Sequence, residues 1–268
     1  MDDNLKQIID QIVQLIKTKK YNDAEDKLLE ARKSYYNNEI VNYLLGTIYS
    51  EWDSPLKAAE KALHFFELVI NSDHPIENAF IELTYLISDK FKQISLLKKG
   101  LESFPQSSKL FERLIFRLGN DEIIQLFDSL TDQSFINELT NFKILLAFYE
   151  LNLFDRVLTH SDKLRSTNKD LLLFLNFILG CANFKIANYK AAVDLFIKSK
   201  EDDLKQQLNY GPNIGLLACL NEDCSIDIKD KIEDLPINEE IDPSTADNFI
   251  PLYFSFEDIF ITLLILQR

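Results

Sequence analysis

Two echoes, separated by about four copies of one length, constrain this chain most. Leu45-Gly46-x-x-Tyr49 and Leu179-Gly180 open similar apolar stretches, and Leu45 lies 134 residues before Leu179. Asn22-Asp23-Ala24 and Asn188-Tyr189-Lys190-Ala191-Ala192 fall in the polar turns of helix pairs. A period of about 34 residues is what stacked helix hairpins leave in a sequence, because each hairpin buries its apolar face only against its neighbours. Such a chain presents a surface rather than a reaction centre.

Composition agrees with helices. Of 268 residues, 46% are hydrophobic and 27% charged, a globular balance rather than a disordered one. Only 6 glycines and 7 prolines occur, too few for a turn-rich β fold or for glycine-rich phosphate loops. The net charge of −14 argues against nucleic acid, which is held by clustered Lys and Arg. It favours basic partners instead. Cys181, Cys219 and Cys224 lack CxxC spacing and read as reduced thiols of a cytoplasmic protein. The start, Met1-Asp2-Asp3-Asn4, is not that of a signal peptide.

The hairpins can be placed one by one. Ile8, Ile9, Ile12, Leu15 and Ile16 stand at helical spacing, Lys19 to Asp23 make a polar turn, and Ala24, Leu28 and Ala31 resume the helical step. A second unit has a first helix near 39–51 and a second carrying Ala62, Phe66 and Val69. Its joint looks about four residues longer than the first, with Asp53 or Ser54 as cap and Pro55 in the first turn. Further units are expected near 74–107, 108–137, 138–172 and 173–206, the last the cleanest.

These units resemble tetratricopeptide repeats over roughly residues 5–206. Residues 39–49 match the first half of that motif, and 21–31 and 189–199 the second half. The early Trp of the family is replaced by Asn42, Asn141 and Asn176, and the final Ala by Ser199 in the sixth unit. The resemblance implies an all-α fold: a right-handed superhelix, or solenoid, of about six helix hairpins with C-terminal capping helices. The repeat domain would cover 1–206, and 207–268 would form degenerate helices on the same solenoid.

Beyond Gln206, Tyr210-Gly211-Pro212 breaks the chain and 214–220 read as a short apolar helix. Residues 222–247 hold ten acids against Lys229 and Lys231, a net −8. The tail, 249–266, is apolar but carries Glu257 and Asp258. Each acid costs about 2.5–3.5 kcal/mol at a membrane centre, and each large aliphatic returns about 0.3–0.6. That balance disfavours a membrane span, and capping of the open end of the array is the expected role of the tail.

No catalytic set, metal site or cofactor motif emerges. His64, His74 and His160 lack the paired spacing of a zinc-protease helix, and Gly211-x-x-x-Gly215 lacks the lysine of a P-loop. A non-enzymatic scaffold or adaptor for a peptide or partner subunit is the expectation. An acidic assembly chaperone for a basic client is the alternative, and an enzyme on a helical frame a third. The resemblance implies a concave groove lined by the first helix of each unit. It maps to Tyr43 and Thr47; Asn78, Glu82 and Tyr85; Lys109, Glu112 and Phe116; Phe142, Leu146 and Tyr149; and Phe177 and Phe184. The same residues at a slipped register would pack against the next helix. The clamp with which some family members hold a chaperone's C-terminal carboxylate is missing, since Ile9, Val13, Leu44, Pro75 and Ala79 stand at its positions.

Overall fold

A computed structural model describes residues 3–51, 53–164, 169–200, 215, 216, 218–220 and 222. The acidic stretch beyond Glu222 and the apolar tail lie outside these residues. Among the described residues the ordered elements are all helices: α1 (Asp3–Lys17), α2 (Tyr21–Ser34), α3 (Glu39–Ser50), α4 (Ala59–Ile70), α5 (Glu77–Leu86), α6 (Lys90–Ser103), α7 (Ser108–Ile115), α8 (Asn120–Ser129), α9 (Glu138–Glu150), α10 (Phe154–Ser161), α11 (Lys169–Lys185) and α12 (Tyr189–Lys198). They pack in sequence order. One compact unit holds α1–α7 with Asp132–Ile136, and another holds α8–α12.

Local chemistry sets the helix starts. Asn38, Asp89, Ser107 and Asn137 each accept a hydrogen bond from a backbone N–H of the first turn that follows, satisfying donors that a helix leaves unpaired. Glu122 reaches back to accept from Gly119 N–H at 3.1 Å at the start of α8. The expected cap of α4 by Asp53 or Ser54 is not what forms. Ser54 Oγ accepts from Leu56 N–H at 3.2 Å, which closes a local turn, and α4 starts only after extended Ala58, whose N–H donates to Tyr49 O at 3.0 Å.

Three hairpins turn through one geometry. Lys19, Asn152 and Ala187 each have φ near +60° and sit between α1 and α2, α9 and α10, and α11 and α12. In each, the next residue donates back across the turn: Lys20 N–H to Leu15 O, Leu153 N–H to Phe148 O and Asn188 N–H to Asn183 O, all at 2.9 Å. The left-handed residue itself donates to Ile16, Tyr149 or Phe184 O. This paired pattern is a Schellman closure of the first helix. It returns the chain at once, so the second helix packs against the first.

The helix pairs close on a small-against-large contact. A Cβ placed on Gly46 in α3 would lie 2.7 Å from the Phe66 ring of α4, and one on Gly180 in α11 would lie 2.8 Å from the Phe196 ring of α12. Both rings are fully buried. Counted from the left-handed residue, Ile12 and Leu28 occupy the offsets of Gly180 and Phe196. Both are fully buried too, so the first hairpin divides between two aliphatic side chains the volume that α11–α12 gives to one aromatic ring. Phe196 also meets Gly215.

Within each unit, side chains join one hairpin to the next at nearly one repeat length. In the first unit Lys19 bonds Asp53, Lys99 bonds Asn71 and Ser107 bonds Glu77, at separations of 34, 28 and 30 residues. In the second, Arg156 grips Asp128 across 28 residues. A contact list dominated by near neighbours in sequence is what stacked hairpins produce.

Candidate functional site

The candidate face in the first unit is built by α3, α5 and α7. Tyr43 and Thr47 stand one turn apart on α3, and the Thr47 hydroxyl donates to Tyr43 O at 3.0 Å. The Tyr43 ring leans on Phe66 at 5.8 Å, which fixes its direction. Its hydroxyl faces Thr47 and Asn78 and senses Glu82 and Glu51, and burial raises its pKa. Glu82 on α5 is half-buried. Burial raises its pKa, the Arg113 guanidinium opposes that rise, and the Glu51 carboxylate adds to it.

Arg113 and Arg117 complete the arrangement. Arg113 lies over the Tyr85 ring, 4.5 Å from its centroid, and donates to its hydroxyl. Arg117 Nε donates to Gln93 Oε1 at 2.6 Å, and its Nη1 donates to Arg113 O at 2.9 Å. Gln93 is itself anchored, since its amide donates to Thr84 O at 3.0 Å and Ile87 O at 2.5 Å. Burial and the neighbouring Arg113 both lower the Arg117 pKa, while Tyr85 raises it.

The structure divides the thirteen sequence-derived groove residues in two. Asn78, Tyr85 and Lys109 are exposed, and Tyr43, Thr47, Glu82, Glu112 and Phe116 are partly exposed. All eight belong to the first unit. Phe142, Leu146, Tyr149, Phe177 and Phe184 of the second unit are buried, between 0% and 9% exposed. Their rings are taken up inside that unit: Phe142 meets Phe174 at 5.5 Å, Tyr149 meets Phe154 at 5.7 Å, Phe177 meets Phe196 at 6.0 Å and Phe184 meets Tyr189 at 5.5 Å. Tyr149–Phe154 and Phe184–Tyr189 occupy the same register around their turns, so these aromatics are a packing signature of the hairpin. Glu51, Gln93, Arg113 and Arg117 were not among the sequence-derived residues. Arg113 and Arg117, four apart on an acidic chain, were the available signal.

His64 and His74 border an open cleft of about 530 Å³ with Glu39, Glu67, Asp73 and Asn71. Among the described residues, no three His, Cys, Asp or Glu side chains form a group able to hold a metal. Cys181 and Cys219 are buried, and burial raises both thiol pKa values, that of Cys219 to about 12. They are poor nucleophiles in that state. No described helix is long and apolar enough to cross a membrane. No known family model matches this chain, and no curated protein matches it.

Proposed function

We propose that this chain is a non-enzymatic interaction module of tetratricopeptide-like hairpins, arranged as a right-handed superhelix, whose α3–α5–α7 face holds a peptide or partner subunit. One observation supports this most. Helices far apart in sequence bring Tyr43, Asn78, Glu82, Tyr85 and Arg113 onto one face, with aromatic rings held by neighbours and a half-buried carboxylate among them. Rings and guanidinium groups with little freedom left are the usual anchors of protein interfaces. The half-buried Glu82 carboxylate favours a cationic side chain of the partner, since a positive charge there offsets the burial that raises its pKa and, to a smaller extent, the repulsion from Glu51. No proton-transfer or covalent step is assigned to these groups, and no cofactor is required.

Affinity capture from the native host tests this reading, with wild-type chain beside Tyr85→Ala and Glu82→Gln. Tyr85 is 65% exposed, so its removal leaves the core intact. The expected result is a partner retained by wild type and weakened about tenfold by either change, roughly 1.4 kcal/mol. The same proteins captured equally by all three would remove the face as the binding site.

A further inference from the structure

The α3–α5–α7 face is electrically polar across its width. Toward α3 stand two carboxylates: Glu82, half-buried on α5, and Glu51, which caps the end of α3. They repel one another. Toward α7 stand two guanidinium groups. Arg113 lies over the Tyr85 ring and donates to its hydroxyl. Arg117, just past the end of α7, donates through Nη1 to Arg113 O at 2.9 Å and through Nε to Gln93 Oε1 at 2.6 Å. Gln93 donates in turn to Thr84 O and Ile87 O, which sets Arg117 beside the C-terminal end of α5. Among the described residues, none of these four charges closes an ion pair.

The two edges adjoin on one stripe of α5. Asn78, Glu82 and Tyr85 follow one another at steps of four and three. Tyr43 of α3 meets Asn78 at one end of the stripe, and Arg113 meets Tyr85 at the other. The Arg113 charge also reaches Glu82, where it offsets part of the effect of burial. Each edge still carries charge that its surroundings disfavour. Burial and Glu51 act against the Glu82 carboxylate, and burial and Arg113 act against the Arg117 cation, with Tyr85 opposing. A cation at the first edge and an anion at the second would relieve both.

We propose that the partner segment held on this face is itself dipolar: a Lys or Arg of that segment meets Glu82, and an Asp or Glu about three residues away meets Arg113 and Arg117. The separation follows from packed helices lying about 8–10 Å apart and an extended chain advancing about 3.3 Å per residue. A uniformly basic segment would set a cation against the two arginines, and a uniformly acidic one a carboxylate against Glu82 and Glu51. Like charges brought together in this way are how an interface rejects a wrong partner. The net charge of −14 attracts basic proteins at long range. At physiological salt the Debye length is about 8 Å, so the local pattern sets the register. The inference rests on the α3–α5–α7 face being the binding site and adds the signs of the charges that its partner carries.

Fluorescence anisotropy with the full chain tests this, using short fluorescein-labelled peptides of Ser and Thr around a four-residue core. The cores are Lys-Ser-Leu-Glu, its reverse Glu-Ser-Leu-Lys, Lys-Ser-Leu-Lys and Glu-Ser-Leu-Glu. One of the two dipolar peptides is expected to bind about tenfold more tightly than either singly charged type. Replacing its Lys by Gln should cost affinity in wild type but not in Glu82→Gln, and replacing its Glu by Gln should cost affinity in wild type but not in Arg117→Gln. The crossed combinations should be additive. No binding of any peptide, a Lys-Ser-Leu-Lys peptide that binds as tightly as both dipolar ones, or losses that are additive for every pair would overturn the inference. The comparison among peptides uses wild type alone, so it holds even where a variant is unstable. If no dipolar preference appears while Tyr85→Ala and Glu82→Gln still lose the native partner, the inference falls and the proposed face stands.

Discussion

His160 is a basic group kept neutral by its surroundings. It is 4% exposed, its ring lies 5.2 Å from Phe127 and 5.4 Å from Phe148, and its Nε2 meets Asn141 O at 3.1 Å. Burial, together with the positive charges of Lys163 and Arg156, lowers its pKa from 6.5 to about 4, against a smaller opposing effect of the Asn141 carbonyl. The folded state therefore binds the proton less tightly than the unfolded chain. The stability this contributes is complete above pH 6.5 and is lost as pH falls toward 4. Denaturant titrations should show wild type losing of order 2 kcal/mol more than His160→Gln across that interval. Parallel pH profiles would show that His160 does not titrate in this way. A similar residue-scale argument applies to Phe142, which is fully buried. Phe142→Glu should unfold the second unit rather than probe a groove, because an unpaired charge would enter the core. Loss of its cooperative melting by circular dichroism would show this.

At the scale of elements, the left-handed turns and the glycine–phenylalanine contacts are separable. Ala187 holds φ of 60° although an L-residue pays about 1–2 kcal/mol there. Ala187→Gly removes that strain and adds unfolded-state entropy, so a net gain of about 0.5–1 kcal/mol is expected in denaturant midpoints. Unchanged or lower stability would mean that the turn is not strained. Gly46→Ala goes the other way. Its Cβ would sit 2.7 Å from a ring with no exposed surface, and overpacking of about 1–3 kcal/mol exceeds the helix-propensity gain of about 1 kcal/mol. Phe66→Leu should restore part of that loss, since Ile12 and Leu28 already fill the corresponding site of the first hairpin. A double-mutant cycle measures the coupling directly.

Over a whole unit, stability should follow position in the stack. Among the described residues of the first unit, α1 and α2 pack on one neighbouring hairpin, through α2 and α3, whereas α3 and α4 pack on two, through α2 and α5. Hydrogen exchange should protect amides of α3 and α4 more than those of α1 and α2, by about tenfold or more. Uniform protection would indicate a unit that opens only as a whole. The helices were legible because Leu, Ile, Ala and Phe recur with the helical step and polar turns interrupt them. That pattern answers to burial along one chain segment. The start of α4 was not legible, because Ser54 has two backbone turns it can stabilise and only the Ala58–Tyr49 bond selects one. Of the residues that the sequence points to, Tyr43, Asn78, Glu82 and Tyr85 of the first unit keep exposed surface, whereas those of the second unit are buried. Spacing places Phe142, Tyr149, Phe177 and Phe184 on first helices, but whether a ring faces solvent or the next helix depends on the neighbour's side chains. By itself the sequence determined helix type and order, which are local properties of the hydrophobic period, but it set two turns a few residues late: Asn22–Ala24 lie inside α2 and Tyr189–Ala192 inside α12, because the left-handed residues that turn the chain are Lys19 and Ala187. Only the tertiary structure decided which aromatics are core, that Gln93 holds Arg117, and that Tyr85 stays exposed beneath Arg113. Those outcomes depend on distances between segments about one repeat apart, which no local pattern encodes.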